Sequence, residues 1–170
     1  MSKADVATAA FLADKQAGGA GMRPWQAFTR AEELDSDEEF YCVSTWGYMG
    51  LAAMPAFWSK TAKINAEIAG MPRGQCVGSA VAAKLAWPTW RTCGFVAETL
   101  TVWTDPKHSK AFFRSDAHRE GMKALRGRIE FRVHRVWVKA ADLPLAGDAA
   151  STSRFWAAVK SGVRFRKVVL

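Results

Sequence analysis

Cysteine is scarce and unpaired in this chain. Cys42, Cys76 and Cys93 are the only three and none belongs to a CxxC pair, which argues against a disulfide framework and against a zinc site. A reducing compartment is the simpler expectation, and with it a cytoplasmic protein. Long apolar runs are also missing. The opening stretch Met1 to Ala13 has a short one, interrupted by Asp5, and nothing approaches the roughly 20 residues that span a bilayer. It reads neither as a signal peptide nor as an anchor, and an integral membrane protein is not expected. There is no GxGxxG, no Walker loop, no HExxH and no GxSxG, and Ser115 before Asp116 and His118 lacks the elbow that presents a nucleophile. Nucleotide, metal and hydrolase chemistry all drop.

What is present is aromatic and basic. The 170 residues are 49% hydrophobic, with eight Trp and ten Phe, enough for one domain with a thick core. The formal charge of +8 is uneven: residues 32 to 39 hold six acids and no base, and residues 107 to 139 hold ten Lys or Arg against three acids. Such a basic stretch attracts phosphates or acidic partners. Here the cations are spaced along amphipathic elements instead of clustered, which is the pattern of a solvated face. Nucleic acid is not an expected partner, because no exposed aromatic stacking pattern accompanies the charge.

Along the chain, residues 1 to 16 read as a small helix broken by Gly18-Gly-Ala-Gly21, and the acidic run reads as an exposed loop. Phe40 to Trp46 is strand-like, with Gly47 and Gly50 ending it. Pro55 suits a first helical turn, and Phe57, Thr61, Ile64, Ile68 and Met71 recur at steps of four and three, giving an amphipathic helix closed by Gly70 and Pro72. Gln75 to Leu85 is a strand of small residues, Trp87-Pro-Thr-Trp90 a turn, and Phe95 to Trp103 a further strand. Asp105 and Pro106 open a second helix as N-cap and first residue, carrying Phe112, His118 and Met122. Ile129 to Val138 is the fourth strand, stopped by Asp142-Leu-Pro144. Thr152 to Lys160 reads as a short helix and Val163 to Leu170 as a basic strand. The order is βαββαβ, an α+β ferredoxin-like unit with a four-stranded antiparallel sheet. The expected organisation is an N-terminal arm and acidic loop over 1–39, the ferredoxin-like domain over 40–144 and an extension over 145–170.

The second half carries a resemblance. Glu98-Thr-Leu-Thr-Val-Trp103, an aspartate two residues on, Phe112 and Phe113, then His118-Arg-Glu-Gly-Met122, and a closing strand with Trp137 before Asp142-Leu-Pro144 resemble an uncharacterised family of the dimeric α/β-barrel superfamily. That superfamily includes the antibiotic biosynthesis monooxygenases, the haem-degrading monooxygenases and, more distantly, spheroidene monooxygenase. The match covers about residues 40 to 144. It implies a homodimer in which two sheets pack face to face, and in each subunit a pocket between helices and sheet. It places Asn65, Trp103 and His118 as pocket residues, with Phe57, Trp58, Phe112 and Met122 as walls or cofactor contacts. The arm, the Trp87 to Trp90 stretch and the C-terminal tail fall outside it.

From the residues alone, His118 stands in the stripe Ala111, Ser115, His118, Met122, Leu125, which turns it towards the sheet. There it serves as a proton shuttle, as an axial haem ligand, or as a core histidine bonded to a backbone carbonyl. Asn65 beside Ile64 is either an amide that orients oxygen or an oxyanion, or a surface residue. Trp103 is either an indole lining a ligand site or core filling. His108 and His134 are expected to be exposed, His134 because it alternates with Glu130 and Arg132. The leading expectation is a monooxygenase-like protein that binds a hydrophobic aromatic or polyene-like small molecule, with no cofactor or with haem. The competing one is a non-catalytic assembly subunit that docks through a Trp-rich surface and its terminal extensions.

Overall fold

A computed structural model describes residues 23–29, 33–89, 92–161 and 166–167. The strands are β1 (Arg23–Ala27), β2 (Glu39–Gly50), β3 (Cys76–Thr89), β4 (Thr92–Trp103), β5 (Ile129–Lys139) and β6 (Arg166–Lys167). The helices are α1 (Met54–Ala69) between β2 and β3, α2 (Pro106–Phe113) and α3 (Asp116–Leu125) between β4 and β5, and α4 (Ala149–Ser161) after β5. The sheet order is β1-β3-β4-β2-β5-β6, with every neighbouring pair antiparallel. Its middle, β5-β2-β4-β3, is the arrangement of the ferredoxin-like βαββαβ unit. Two edge strands extend the expected four: β1, from the stretch read as an arm, and the two-residue β6. The expected helix over 1–16 and most of the expected strand over 163–170 lie outside the described residues.

Local chemistry sets the boundaries. Asp105 accepts the Lys107 backbone N–H at 2.6 Å and Pro106 follows as the first residue of α2, as the sequence predicts. The single helix expected from there to Leu125 is in fact two. The chain turns at Arg114, and the Ser115 hydroxyl accepts the His118 backbone N–H at 3.3 Å to start α3. A side chain that can cap competes with helix continuation, so Ala111 and Ser115 do not share a stripe with His118, Met122 and Leu125. Gly47 does not end β2. It lies within the strand, where a Cβ would stand 2.8 Å from Ile129 Cγ1, so its role is close packing. Residues 87–89 continue β3 instead of turning; Trp90 and the Trp87 side chain lie outside the described residues.

The sheet has two different covers. On one face lie α1, α2 and α3, over Val43, Ala97, Trp103 and Phe131. The other face, with Cys42, Ala80, Leu100 and Val102, is covered by Phe155, Trp156 and Val159 of α4. Trp25 of β1 packs edge-on against Phe155 at 6.1 Å and donates its backbone N–H to Thr152 Oγ1 at 3.0 Å. The side of the sheet that a face-to-face dimer would use therefore carries the chain's own helix. His134 and Arg132 lie on this second face. Alternation along β5 placed them on a solvent side, but they share the face of Ser44 and Trp46 and are buried. His108 is half-buried too, its Nδ1 3.0 Å from Thr104 Oγ1.

Gly78 in β3 tests how tightly this second core is packed, because a Cβ there would overlap the Trp25 indole. Gly78→Ala is expected to cost about 1–3 kcal/mol, the usual penalty of overpacking a closed core. Urea unfolding should show it as a lower midpoint at unchanged slope.

Candidate functional site

The floor of the candidate site is the helix-side face of the sheet, and it is hydroxylated. Thr45 of β2 pairs with Thr99 of β4, Thr99 with Val81 of β3, and Thr101 with Ser79. A period of two brings these side chains to one face, and all five border one cavity together with Phe131. Thr101 is held in place, since its Oγ1 accepts the Trp103 indole N–H at 2.8 Å and donates to the Val43 carbonyl at 3.4 Å.

The roof is apolar except at Thr61, Asn65 and His118. From α1 come Phe57, Thr61, Ile64 and Ile68, the predicted stripe, with Asn65 beside them. The Asn65 side-chain amide makes no hydrogen bond to another described residue, so its donors and its acceptor are free for a bound molecule. From α2 and α3 come Phe112, Phe113, His118 and Met122. Gly121 lets the two helices approach, as a Cβ there would meet Ile64 Cδ1 at 3.2 Å.

His118 is the one titratable group in the lining. Its ring stands edge-on to Phe112 at 5.2 Å and to Phe113 at 4.9 Å. Burial lowers its pKa below the ordinary 6.5, while a hydrogen bond to the Phe113 backbone and the Glu67 carboxylate pull it back in part. Glu67 is itself fixed by the Ser115 hydroxyl at 3.0 Å. The imidazole is therefore neutral at physiological pH. A neutral imidazole has one N–H to donate and one nitrogen that accepts.

The enclosed cavity measures about 80 Å³. That is room for a few waters or a diatomic gas, less than the roughly 150 Å³ in which a buried cavity takes up benzene. It opens towards an outer groove of about 820 Å³. Thr45, Phe113, His118, Met122 and Phe131 border both spaces, so His118 stands at the junction. Haem does not fit the inner cavity, since even drug-sized ligands occupy about 300–1,000 Å³. No cluster of His, Cys, Asp or Glu able to hold a metal ion exists among the described residues.

The structure brings together His118, Asn65, Phe57, Phe112 and Met122 of the expected site. It leaves out Trp103 and Trp58. Trp103 is fully buried, tilted against Phe112 at 5.2 Å, and its N–H is taken by Thr101, so it supports two lining residues from behind. Trp58 lies on nearly the same side of α1 as Asn65 but about 10 Å back along the axis, edge-on to Phe57 at 5.5 Å. The sheet hydroxyls Thr45, Ser79, Thr99 and Thr101 were not singled out from sequence. Period-two alternation does flag such residues, but only once the strand register is known.

A second polar cluster lies on the opposite face. Glu98 of β4 is fully buried, with Lys160 Nζ of α4 at 3.1 Å from Oε2 and the Ser44 hydroxyl donating to Oε1 at 3.0 Å. Burial pushes the carboxyl up to about 7, against the pull of Lys160, Ser44 and Trp156. Cys42 and Cys76 are buried and free. Burial raises both thiols, Cys76 to about 12, which makes them inert at neutral pH.

No family model and no curated protein matches the chain. Its fold is similar to that of several solved structures. An anthrone oxidase-like protein aligns over 75% of this chain and 58% of its own, at 11% identity and a TM-score of 0.47. SnoaB, a cofactor-independent oxygenase from Streptomyces nogalater, aligns over 60% and 92%, at 20% identity and 0.36. A candidate monooxygenase of Lactobacillus acidophilus NCFM aligns over 63% of this chain at 9% identity and 0.45, and the chain spans 50% of that protein's length.

Proposed function

We propose that the protein is a monooxygenase-like binder of a hydrophobic aromatic or polyene-like small molecule, with His118 as the group that moves the proton. The observation that carries this reading is the junction at His118: a cavity of about 80 Å³ inside it and a groove of about 820 Å³ outside it. The groove holds the body of the ligand and the inner cavity has the size for dioxygen beside the ligand's tip. The free nitrogen of a neutral imidazole accepts a proton from an activated CH₂ group. The resulting carbanion supplies the electrons that reduce dioxygen, one oxygen entering the substrate as a carbonyl and the other leaving as water. Asn65 and the floor hydroxyls orient the charged intermediate by hydrogen bonds.

Oxygen uptake with a panel of aromatic ketones that carry an activated CH₂ group, and with quinols, tests this. His118→Ala is expected to lower the rate by about a hundred-fold while the apolar ligand still binds. No uptake with any of them, in protein shown to be folded, removes the oxygenase reading. The homodimer expected from the resemblance belongs to this proposal, formed through a surface other than the one under α4. Light scattering that returns a monomer at working concentration removes it. For the assembly-subunit alternative, Trp25, Trp46, Trp103 and Trp156 are buried and belong to the core, which leaves Trp137, 51% exposed, as the described tryptophan open to a partner.

A further inference from the structure

Three cations that pair with no described acid stand at the mouth of this site. Arg119, Lys123 and Arg126 follow one another on and just after α3 at steps of four and three, which brings them to one side. All three are exposed and border the outer groove. None forms an ion pair with another described residue. Of the two acids on the same rim, Glu120 is turned to Lys60 Nζ at 3.9 Å, which leaves Asp116 as the only other acid bordering the groove among the described residues.

A solvated row of cations on a helix has no need of a partner. This row, however, borders a concave floor made of Phe113, Met122, Phe131 and Val133, and that floor leads to His118 and the inner cavity. An apolar trough with unbalanced positive charge along one edge is complementary to a molecule that is itself apolar with one negative end. We propose that the ligand of this site is an amphipathic anion, an aromatic or long-chain carboxylic acid whose body lies on the groove floor. Its far end reaches His118, and its carboxylate is held at the rim by Arg119, Lys123 and Arg126. The rim fixes which end of the ligand enters, and so which carbon meets the imidazole. This inference rests on reading the cavity and groove as a ligand site.

The test uses naphthoate and its neutral isostere naphthamide as fluorescent probes, titrated into the full chain. Naphthoate is expected to bind about ten-fold more tightly than naphthamide at low ionic strength, with the gap closing as salt is added. The triple variant Arg119→Gln, Lys123→Gln, Arg126→Gln changes only exposed side chains and should bind the two probes alike, with the naphthamide affinity unmoved. Equal affinities in the wild type, or a preference that survives in the triple variant, overturn the inference and leave the pocket reading standing. Met122→Trp fills the floor and should weaken both probes together; Met122→Gln replaces it if the indole prevents folding. If neither probe binds the wild type, or both bind the floor variant unchanged, the pocket reading itself falls and the inference falls with it.

Discussion

Lys160→Met is expected to lower stability by about 3–5 kcal/mol at about pH 8 and by far less at about pH 5. The reason is the buried carboxylate that Lys160 leaves behind. Glu98 is 1% exposed, and its pKa is raised from an ordinary 4.5 to about 7. The folded state therefore binds a proton that the unfolded state has released between those two values. Stability from this group falls as pH rises through that window, by about 3 kcal/mol at most. In the wild type the ammonium 3.1 Å away limits the loss. Methionine removes that attraction, so the carboxyl climbs further and the penalty extends to higher pH. Below the ordinary 4.5 the carboxyl is protonated in both states and the penalty is absent. The comparison is made as variant minus wild type, because burial depresses His118 and His134, and their contribution acts in the opposite sense, lost as pH falls below 6.5. Urea midpoints at the two pH values decide it. A loss of equal size at both assigns the effect to packing of the lysine stem. The double variant Glu98→Gln, Lys160→Met should recover most of the stability, since replacing both members of a buried pair is often close to neutral.

The central architecture was legible because its signals are local. The stripe from Phe57 to Ile68, the Asp105-Pro106 start and the β-branched runs each fix an element by periodicity or capping, and their order fixes the ferredoxin-like unit. His118 and Asn65 at one cavity followed from the helix period together with the resemblance. What was not legible depends on tertiary cover. Nothing in Ser44, Glu98 or Lys160 says that residues so far apart in the sequence meet in a core. Alternation along β5 marks Arg132 and His134 as polar, and polar reads as exposed until α4 is known to lie over that face. Trp103 reads in sequence as a candidate donor for a ligand, but the hydroxyl two residues back on its own strand takes the N–H first. The break at Ser115 is a contest between capping and propagation that differs by about a kilocalorie, too little to decide from sequence.

Removing residues 149–170 should convert the protein into a self-associating species. The truncation strips α4 from Phe40, Cys42, Ala80, Leu100 and Val102, all buried now, and it takes Lys160 away from Glu98. A sheet face of that composition does not remain in water: antiparallel sheets tolerate one solvated face only when its residues are polar. The cover then available at high concentration is a second copy of the same face, since two sheets packed about 10 Å apart bury their inner side chains mutually. The truncated chain should therefore elute as a dimer or larger and bind an apolar dye, while the full chain does not associate through this face. Trp156→Ala is the milder form of the same experiment. Its indole is fully buried in that cluster, and its loss should cost about 3–5 kcal/mol without releasing the helix. A truncated chain that stays monomeric, binds no dye and unfolds at the wild-type midpoint would mean that α4 contributes nothing to covering the sheet. The graded pair separates two roles for the helix: packing alone predicts only the stability loss, whereas occupation of a place a second sheet would take predicts the change in assembly as well.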